Sequence, residues 1–281
     1  MIKCLIILFM FMFIAACAGN TQPGGIFVAE NDALESNDNE NIIDGDFLDG
    51  HWFFELYRTP AVMLQLTPVA PGEELVVLHT NLGDITVRMF PDEAPYAVEN
   101  FLTHARNGFY DGVIFHRVIP EFMIQTGDPT GTGMGGESIW GWPFGIEHSP
   151  NLRHFRGALA MAHAGGAMGS QFYIVQNTTI NEFMRRDFEE LIADADYVVG
   201  EFADGTQVTI GDIHPVDGLQ HFIDYGGTPF LDWFWNENPH TVFGHVVDGM
   251  DVVDAIANAE RVNDRPVQDI IIQRISFFIY E

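Results

Sequence analysis

Residues Phe115–Gly127, FHRVIPEFMIQTG, decide what the chain predicts about its fold and its site. A proline divides the stretch into two short apolar segments, and alternate residues of each segment would share one face of a sheet. Arg117 lies on the first segment, and Phe122, Met123 and Gln125 lie on the second. A lone cation beside an aromatic ring, a thioether and an amide is poorly suited to covalent or metal chemistry. These residues instead suit an apolar slot that holds one strong hydrogen-bond donor.

Arg117 is the residue of this stretch that is hardest to explain by packing alone. A cation within an apolar strand needs a partner or a purpose, because an unpaired buried charge is costly. Gln125 is the obvious partner, since its side-chain amide can orient the guanidinium. Phe122, Met123 and Tyr173 have a simpler alternative, because aromatic residues and methionine usually pack in a core.

The regular pattern of the domain begins near Leu75. Apolar segments predict strands at 75–80, 85–90, 112–118, 121–127, 157–162, 171–176, 242–247 and 268–278. Helical periodicity predicts helices over Tyr96–Asn107 and Met250–Ala259, and Gly108 is expected to cap the first. Many short strands with two helices predict a mainly β fold, a closed eight-stranded antiparallel β-barrel that is capped by the two helices.

Residues 178–228 interrupt this pattern. The segment NEFMRRDFEELIADA at 181–195 has helical periodicity, and VVGEFADGTQVTIG at 198–211 predicts a hairpin that turns at Asp204 and Gly205. We interpret residues 178–228 as a helical and hairpin insertion in a loop, and not as a second domain.

The N-terminus has the pattern of a lipoprotein signal. A basic start at Lys3 precedes an unbroken apolar run over Leu5–Ile14, which is too short for a permanent membrane span. Ile14 and two alanines then lead into Cys17, and this tetrad resembles a bacterial lipobox. The resemblance implies a signal peptide at 1–16 and a diacylglyceryl thioether on Cys17. The alternative is an ordinary secretory signal with a chance cysteine. Residues 17–72 are interpreted as an acidic tether followed by an N-terminal extension.

The charge of the chain argues against two classes of partner. The formal net charge is −28, and Lys3 is the single lysine, so that eleven arginines carry the positive charge of the remaining chain. Such an acidic protein is repelled by nucleic acid and by anionic headgroups, so neither is an expected partner. Cys4 is removed with the signal peptide, and no disulfide is predicted in the domain.

Three further motifs fail the tests of their context. Gly131–Gly136 fits G-x-G-x-x-G, but a proline precedes it and no helical pattern follows, so we interpret it as a flexible loop. The eleven histidines lack the spacing of metal ligands, and no metal site is predicted. Ser170 is not in a G-x-S-x-G elbow, which argues against serine catalysis. The sequence therefore predicts no cofactor.

Three blocks in order resemble the cyclophilins, a family of peptidyl-prolyl cis-trans isomerases. They are FHRVIPEFMIQTGD at 115–128, GALAMAHAGGAMGSQFYI at 157–174 and PHTVFGHVVDGMDVVDAI at 239–256. The similarity extends from about Leu75 to Phe278 and implies an isomerase domain at 73–281. It implies catalytic roles for Arg117, Phe122, Gln125 and His240, and substrate-binding roles for Met123, Ala162, His163, Ala164, Gln171, Tyr173, Phe230 and Leu231.

The chain departs from the family pattern at three positions. His163 replaces a usual asparagine where the family uses the backbone, and Tyr173 replaces a usual phenylalanine and adds a hydroxyl to the pocket floor. The position of the usual tryptophan has two candidates. The flanking residues favour Phe230, whereas counting back from His240 leads to Trp235.

The resemblance to the cyclophilins, together with the lipobox-like tetrad that ends at Cys17, implies a lipid-anchored isomerase outside the cytoplasmic membrane. Its expected partners are proline-containing unfolded or surface polypeptides, and the chain is expected to be a monomer that uses neither metal nor cofactor. Arg117 would donate a hydrogen bond to the prolyl nitrogen as the peptide bond twists. Two alternatives remain at this point: a peptide-binding module or holdase without catalysis, and a substrate-binding lipoprotein for small molecules.

Overall fold

The computed structural model describes residues 57–232, Asn236 and residues 238–281. The strands of this part of the chain are β1 (Glu74–Thr80), β2 (Gly83–Met89), β3 (Arg117–Ile119), β4 (Met123–Thr126), β5 (Ala158–Ala164), β6 (Ala167–Val175), β7 (Val198–Glu201), β8 (Gln207–Thr209), β9 (Val242–Asp248), β10 (Arg261–Val262), β11 (Arg265–Pro266) and β12 (Ile272–Ile279). The helices are α1 (Pro95–Arg106), α2 (Glu182–Ala193), α3 (Ile210–Ile213), α4 (Val216–Tyr225) and α5 (Met250–Ala257), with 3-10 turns at Leu64–Leu66 and Pro229–Leu231.

Eight of these strands form one antiparallel sheet. Their order across the sheet is β12-β1-β2-β9-β5-β6-β4-β3. The hairpin of β1 and β2 turns at Asn81 and Leu82, and Thr80 pairs with Gly83 at its end. The prediction of a mainly β fold with an eight-stranded antiparallel sheet is confirmed.

The sheet is an open half-barrel and not the closed barrel that the sequence predicts. Its end strands β3 and β12 do not pair with each other in the described residues. At the edge of β3, the backbone carbonyl oxygen of Asp264, in the turn between β10 and β11, accepts the hydrogen bond of the Val118 N–H at 2.7 Å in place of a partner from β12. The residues before β3 reach the start of β12 through a bridge of Ile114 and Ile271 and through backbone hydrogen bonds that join Gly112 and Val113 to Ile272 and Phe115 to Ile270.

The two faces of the sheet have different neighbours. Alternate residues such as Ile124, Leu159 and Phe172 belong to a buried core that includes Phe101 of α1 and Ile256 of α5. The residues between them in sequence point to the opposite face, because side chains alternate along a strand. A second apolar cluster lies there and contains Met123, Ala158, Ala160, Tyr173 and Val175. The helices therefore cover one face and leave the other for a site.

Both predicted capping helices are present within two residues of their expected ends. Pro95 begins α1, where its fixed φ and missing N–H are tolerated. The Glu147 carboxylate accepts hydrogen bonds from the backbone N–H groups of Tyr96 and Ala97 and so takes the place of an N-cap side chain. Gly108 follows α1 with φ +69°, the left-handed conformation expected of a C-terminal cap.

The segment 178–228 contains the predicted helix, α2, and the predicted hairpin of β7 and β8. Helices α3 and α4 were not predicted. Thr209 caps α3 in a reciprocal capping box with Asp212. The helix has only the four residues IGDI, which are too few to show a helical periodicity. That 178–228 is an insertion, and that the domain spans 73–281, remain predictions.

Residues 59–72 pack on the sheet and its loops within one compact unit that extends to Glu281. The Gln65 side chain donates to the carbonyl oxygen of Arg153 at 2.9 Å and accepts from its N–H at 2.7 Å. Arg88 donates to the carbonyl oxygens of Leu64 and Thr67 at 3.3 and 3.2 Å. The predicted signal peptide, Cys17 and the tether up to residue 56 lie outside the described residues. No helix within the described ranges is long and apolar enough to cross a membrane.

Buried histidines predict a loss of stability in acid. Burial, with the nearby Arg153, lowers the pKa of His214 to about 3, and burial, with His221 and Arg88, lowers that of His245 to about 3. An unfolded histidine titrates near 6.5, so below that pH the unfolded chain binds more protons than the folded one. The free energy of unfolding therefore has its full value above about pH 6.5 and decreases as the pH falls towards 3.

We expect the free energy of unfolding to fall by about 1.4 kcal/mol per pH unit for each of these two histidines between pH 6 and pH 4. Urea unfolding at four pH values measures the slope. His214→Leu should reduce this slope by about 1.4 kcal/mol per pH unit, the contribution of one histidine. An unchanged acid slope in that variant would contradict the assignment.

Candidate active site

One row of side chains crosses the face of the sheet opposite α1 and α5. Arg117 on β3 pairs with Gln125 on β4, Gln125 with Tyr173 on β6, Tyr173 with Ala160 on β5, and Ala160 with Val242 on β9. Because partners in register share a face, the row places a cation and an amide beside an apolar surface. The predicted residues Met123, Ala162 and Gln171 lie two positions from members of this row and therefore point the same way.

Three polar side chains form a continuous chain along the edge of this surface. Arg117 donates through a terminal nitrogen to Oε1 of Gln125 at 3.3 Å, and Nε2 of Gln125 donates to Oε1 of Gln171 at 2.9 Å. Nε2 of Gln171 then donates to the carbonyl oxygens of Gly133 and Gly135, at 3.1 and 2.7 Å. The proposed partnership of Arg117 and Gln125 is therefore present in the structure.

The glycine loop, where this series of hydrogen bonds ends, is held together by Asp128. This buried carboxylate accepts hydrogen bonds from the backbone N–H groups of Thr130, Thr132, Gly133 and Gly135 and from both threonine hydroxyls. Burial alone would raise the pKa of Asp128, but the hydrogen bonds outweigh it and hold the pKa well below its usual range. The glycine motif thus folds around an anion of the protein itself.

Arg117 itself is partly open to solvent. Its side chain is 44% exposed, and its guanidinium carbon lies 5.9 Å from the centre of the Phe122 ring. Nε is 4.0 Å from a carboxylate oxygen of Asp264, a surface pair that contributes little energy. Arg117 therefore keeps donors available beside the apolar surface.

The apolar surface is a pocket with one exposed wall. Met123 and Tyr173 are buried in its floor, and Phe122, Ala162 and Leu231 pack partly buried around them. Phe230 stacks against Phe122 with ring centres 6.0 Å apart and is 46% exposed. Phe230 therefore lies at the wall of the pocket. Trp235 lies outside the described residues, so the choice of Phe230 for the position of the usual tryptophan stays a prediction.

Two histidines close the far side of the pocket. The rings of His163 and His240 stack at 4.1 Å, and Nδ1 of His240 lies 2.9 Å from the carbonyl oxygen of Met161. A carbonyl oxygen only accepts, so this nitrogen carries the proton. His163 accepts from the backbone N–H of Gly166 through Nδ1 and donates to the carbonyl oxygen of Pro239 through Nε2. Each ring is therefore anchored by hydrogen bonds to backbone groups.

Burial lowers the pKa of His240 to about 4. The hydrogen bond to Met161 opposes this effect, and the neighbouring rings of His163 and His154 add to it. His240 is therefore uncharged at neutral pH. It offers Nε2 as an acceptor and does not act as a proton donor there.

The hydroxyl that distinguishes Tyr173 from the usual phenylalanine is buried and has no hydrogen-bond partner among the described residues. Burial, with the charge of Asp232, raises the pKa of Tyr173 well above its ordinary value. The tyrosine thus remains neutral and acts as part of the apolar floor.

Most of the predicted site residues come together. Ala164 is the exception: it is exposed at the end of β5, where it pairs with Ala167. The sequence reasoning missed Asp128, the carbonyl oxygens of the glycine loop, and His154, which stacks 6.2 Å from Tyr173. Only Asp128 had a signal in the sequence, because it directly follows the FHRVIPEFMIQTG stretch.

Comparison with known proteins agrees with this geometry. The family model described as cyclophilin type peptidyl-prolyl cis-trans isomerase/CLD matches residues 75–277, more than half of the chain. The chain belongs to the cyclophilin family. Residues matched to the family include the whole sheet up to Phe277, and this membership indicates that the chain is a peptidyl-prolyl isomerase.

Relatives support the same assignment. A protein of Staphylococcus aureus strain USA300, named as a peptidyl-prolyl cis-trans isomerase, is 44% identical over 209 residues, which are 74% of this cyclophilin and 93% of the relative. A similarly named protein of Staphylococcus saprophyticus is 44% identical over 214 residues, covering 75% and 95% of the two chains. The crystal structure of a Cryptosporidium parvum cyclophilin type isomerase matches with a TM-score of 0.52 at 28% identity, over 74% of this chain and 99% of that one.

A cluster of metal ligands is not found in the described part of this cyclophilin. No group of three or more His, Cys, Asp or Glu residues there has an arrangement that holds a metal ion. The side chains of the site provide hydrogen-bond donors, hydrogen-bond acceptors and an apolar surface. The arrangement can bind a peptide and stabilise one of its conformations.

Removing the Asp128 carboxylate should loosen the glycine loop. We expect Asp128→Ala to lower the free energy of unfolding by about 2–4 kcal/mol, because buried N–H donors lose their acceptor. Denaturant unfolding measures this change. Asp84→Ala, which removes a carboxylate that is 60% exposed, is the matched control and should change stability by under about 1 kcal/mol. Equal effects of the two substitutions would show that the loop does not depend on Asp128.

Proposed function

We propose that this cyclophilin accelerates rotation about X-Pro bonds by a hydrogen bond from Arg117 to the prolyl nitrogen. Amide resonance gives the rotation a barrier of ~18–20 kcal/mol. In the twisted transition state the prolyl nitrogen becomes pyramidal and gains a lone pair that it lacks in the planar amide. A donor aimed at this nitrogen stabilises the twisted form more than the planar form, and so lowers the barrier. No covalent intermediate is required.

The observation that supports this mechanism is the orientation of Arg117. Gln125 binds one terminal nitrogen of the guanidinium, while the ring of Phe122 lies 5.9 Å from its central carbon. A proline ring in the pocket of Phe122, Met123 and Tyr173 would place its nitrogen at the boundary between the apolar floor and the guanidinium. Binding energy of the ring then positions the bond to be twisted.

The mechanism predicts a selective loss of turnover in Arg117→Ala. We expect kcat/KM for a proline tetrapeptide to fall about 10²–10³-fold, in the range for loss of one transition-state donor, with the fold intact. Arg117→Lys should recover only part of the activity, because lysine lacks the planar fork that Gln125 orients. NMR exchange spectroscopy measures the interconversion directly.

Arg106→Ala is the matched control for this experiment. Arg106 is also a partly exposed arginine that lies over a phenylalanine ring, here Phe277, but it pairs with Glu74 far from the pocket. Its substitution should leave kcat/KM unchanged. Wild-type turnover in Arg117→Ala would refute the hydrogen-bond mechanism.

We further propose that the enzyme acts outside the cytoplasmic membrane on proline-containing secreted or surface polypeptides, as a lipid-anchored monomer. The support is the sequence: a basic start, the apolar run Leu5–Ile14 and the lipobox-like tetrad that ends at Cys17. A lipid chain supplies affinity for the bilayer that the acidic protein lacks. The acidic residues that follow Cys17 would keep the domain away from the bilayer surface.

The anchor is tested by substituting its cysteine. Cys17→Ala should abolish incorporation of a palmitate analogue and release the protein from the membrane fraction, because no thiol remains there for acylation. Cys4→Ala, within the predicted signal peptide, should leave both unchanged. Labelling of the Cys17→Ala variant would contradict the proposal.

A further inference from the structure

A buried imidazole–carboxylate pair lies behind the pocket wall. The side chain of His154 is 1% exposed and that of Asp232 is 5% exposed. One carboxylate oxygen of Asp232 accepts from Nδ1 of His154 at 2.6 Å and from the backbone N–H of the same residue at 2.9 Å. These two residues are separated by 78 positions in the sequence. The pair therefore fastens two distant segments at one point.

One of the two joined segments contains His154 and leads into β5. The other is Thr228–Asp232. The backbone N–H of Thr228 donates to the carbonyl oxygen of His154 at 2.8 Å, so the segment is attached at both of its ends. Between these attachments lie Phe230 and Leu231, the wall residues of the pocket. His154 is therefore hydrogen-bonded to both ends of the segment that carries the wall residues.

His154 also contacts the pocket floor. Its ring stacks at 6.2 Å on the ring of Tyr173 and lies edge-on at 6.4 Å to that of His240. On the other side, Gln65 binds both backbone polar groups of the neighbouring Arg153. His154 is therefore held by its neighbours while its own side chain holds the wall.

A buried polar pair of this kind is weak evidence for stability, because removing its charges and dipoles from water costs about as much as the pairing returns. What the pair provides is one defined geometry. We infer that His154 and Asp232 are positioning residues, which hold Phe230 and Leu231 in the conformation that binds the proline ring. Neither residue touches the bond that is twisted.

This inference rests on the proposed pocket but not on the hydrogen bond from Arg117. It is therefore tested by peptide binding as well as by turnover. The probe is an Ala-Pro-containing tetrapeptide, titrated into the full-length chain with peptide and protein signals followed by NMR. Repeating the titration in the Arg117→Ala background separates failure of this inference from failure of the catalytic mechanism.

Four variants distinguish hydrogen bonding from packing. Asp232→Ala removes the acceptor, and His154→Leu removes the donor while keeping an apolar side chain in the core. Asp232→Asn keeps an acceptor oxygen, and His154→Asn keeps a donor close to the position of Nδ1. We expect the first two to raise KM and the peptide Kd on the order of ten- to hundredfold with kcat changed by less than about threefold, since a wall displaced by about 1 Å misplaces the ring.

The two conservative variants should recover peptide affinity to within about threefold of the wild type, since they keep the hydrogen bond. His79→Leu, which removes a histidine whose Nδ1 lies 2.8 Å from Asp84 on the opposite part of the sheet, is the matched control and should leave KM unchanged. An unchanged Kd in folded Asp232→Ala and His154→Leu would overturn the inference. A loss of kcat with unchanged KM would overturn it as well, because it would place the pair in the chemical step.

Discussion

The site depends on the direction in which hydrogen bonds can run from Arg117. A guanidinium only donates, so Gln125 must present its oxygen to Arg117 and its NH2 group to the next residue. Gln171 repeats the arrangement, and the backbone carbonyl oxygens of Gly133 and Gly135 end it, because they only accept. Each amide therefore has one permitted orientation. Arg117 is held by an amide oxygen, while the carboxylate of Asp264 stays 4.0 Å from its Nε.

The sheet turns this local constraint into a binding surface. Its two faces serve different purposes because the helices cover only one of them, and the row from Arg117 to Val242 lies on the other. The neutral state of the pocket follows from the same burial. The pKa of His240 falls to about 4 and that of Tyr173 rises, so no titration of either group interferes with peptide binding at neutral pH.

The sequence predicts best what is local. The pairing of Arg117 with Gln125 follows from a hairpin of few residues, and the two capping helices follow from their periodicity. The prediction of a closed barrel was wrong: at the edge of β3 the backbone carbonyl oxygen of Asp264, and not β12, pairs with Val118. This contact joins segments about 150 residues apart and leaves no pattern in either one. For the same reason His154 and Asp232 could not be paired in advance. The roles of the site residues remain predictions that the proposed variants test.

The half-exposed position of Phe230 has a consequence for the choice of client. One side of the slot stands at the surface, so an extended chain can be laid across it sideways, and no chain end has to enter. Under the proposed function, the length of the client would then be unrestricted. Selection would depend on the client's own tertiary structure, because only a proline whose flanking residues are free of other contacts could bind in the slot. The slot would then distinguish unfolded from folded segments without recognising any particular protein.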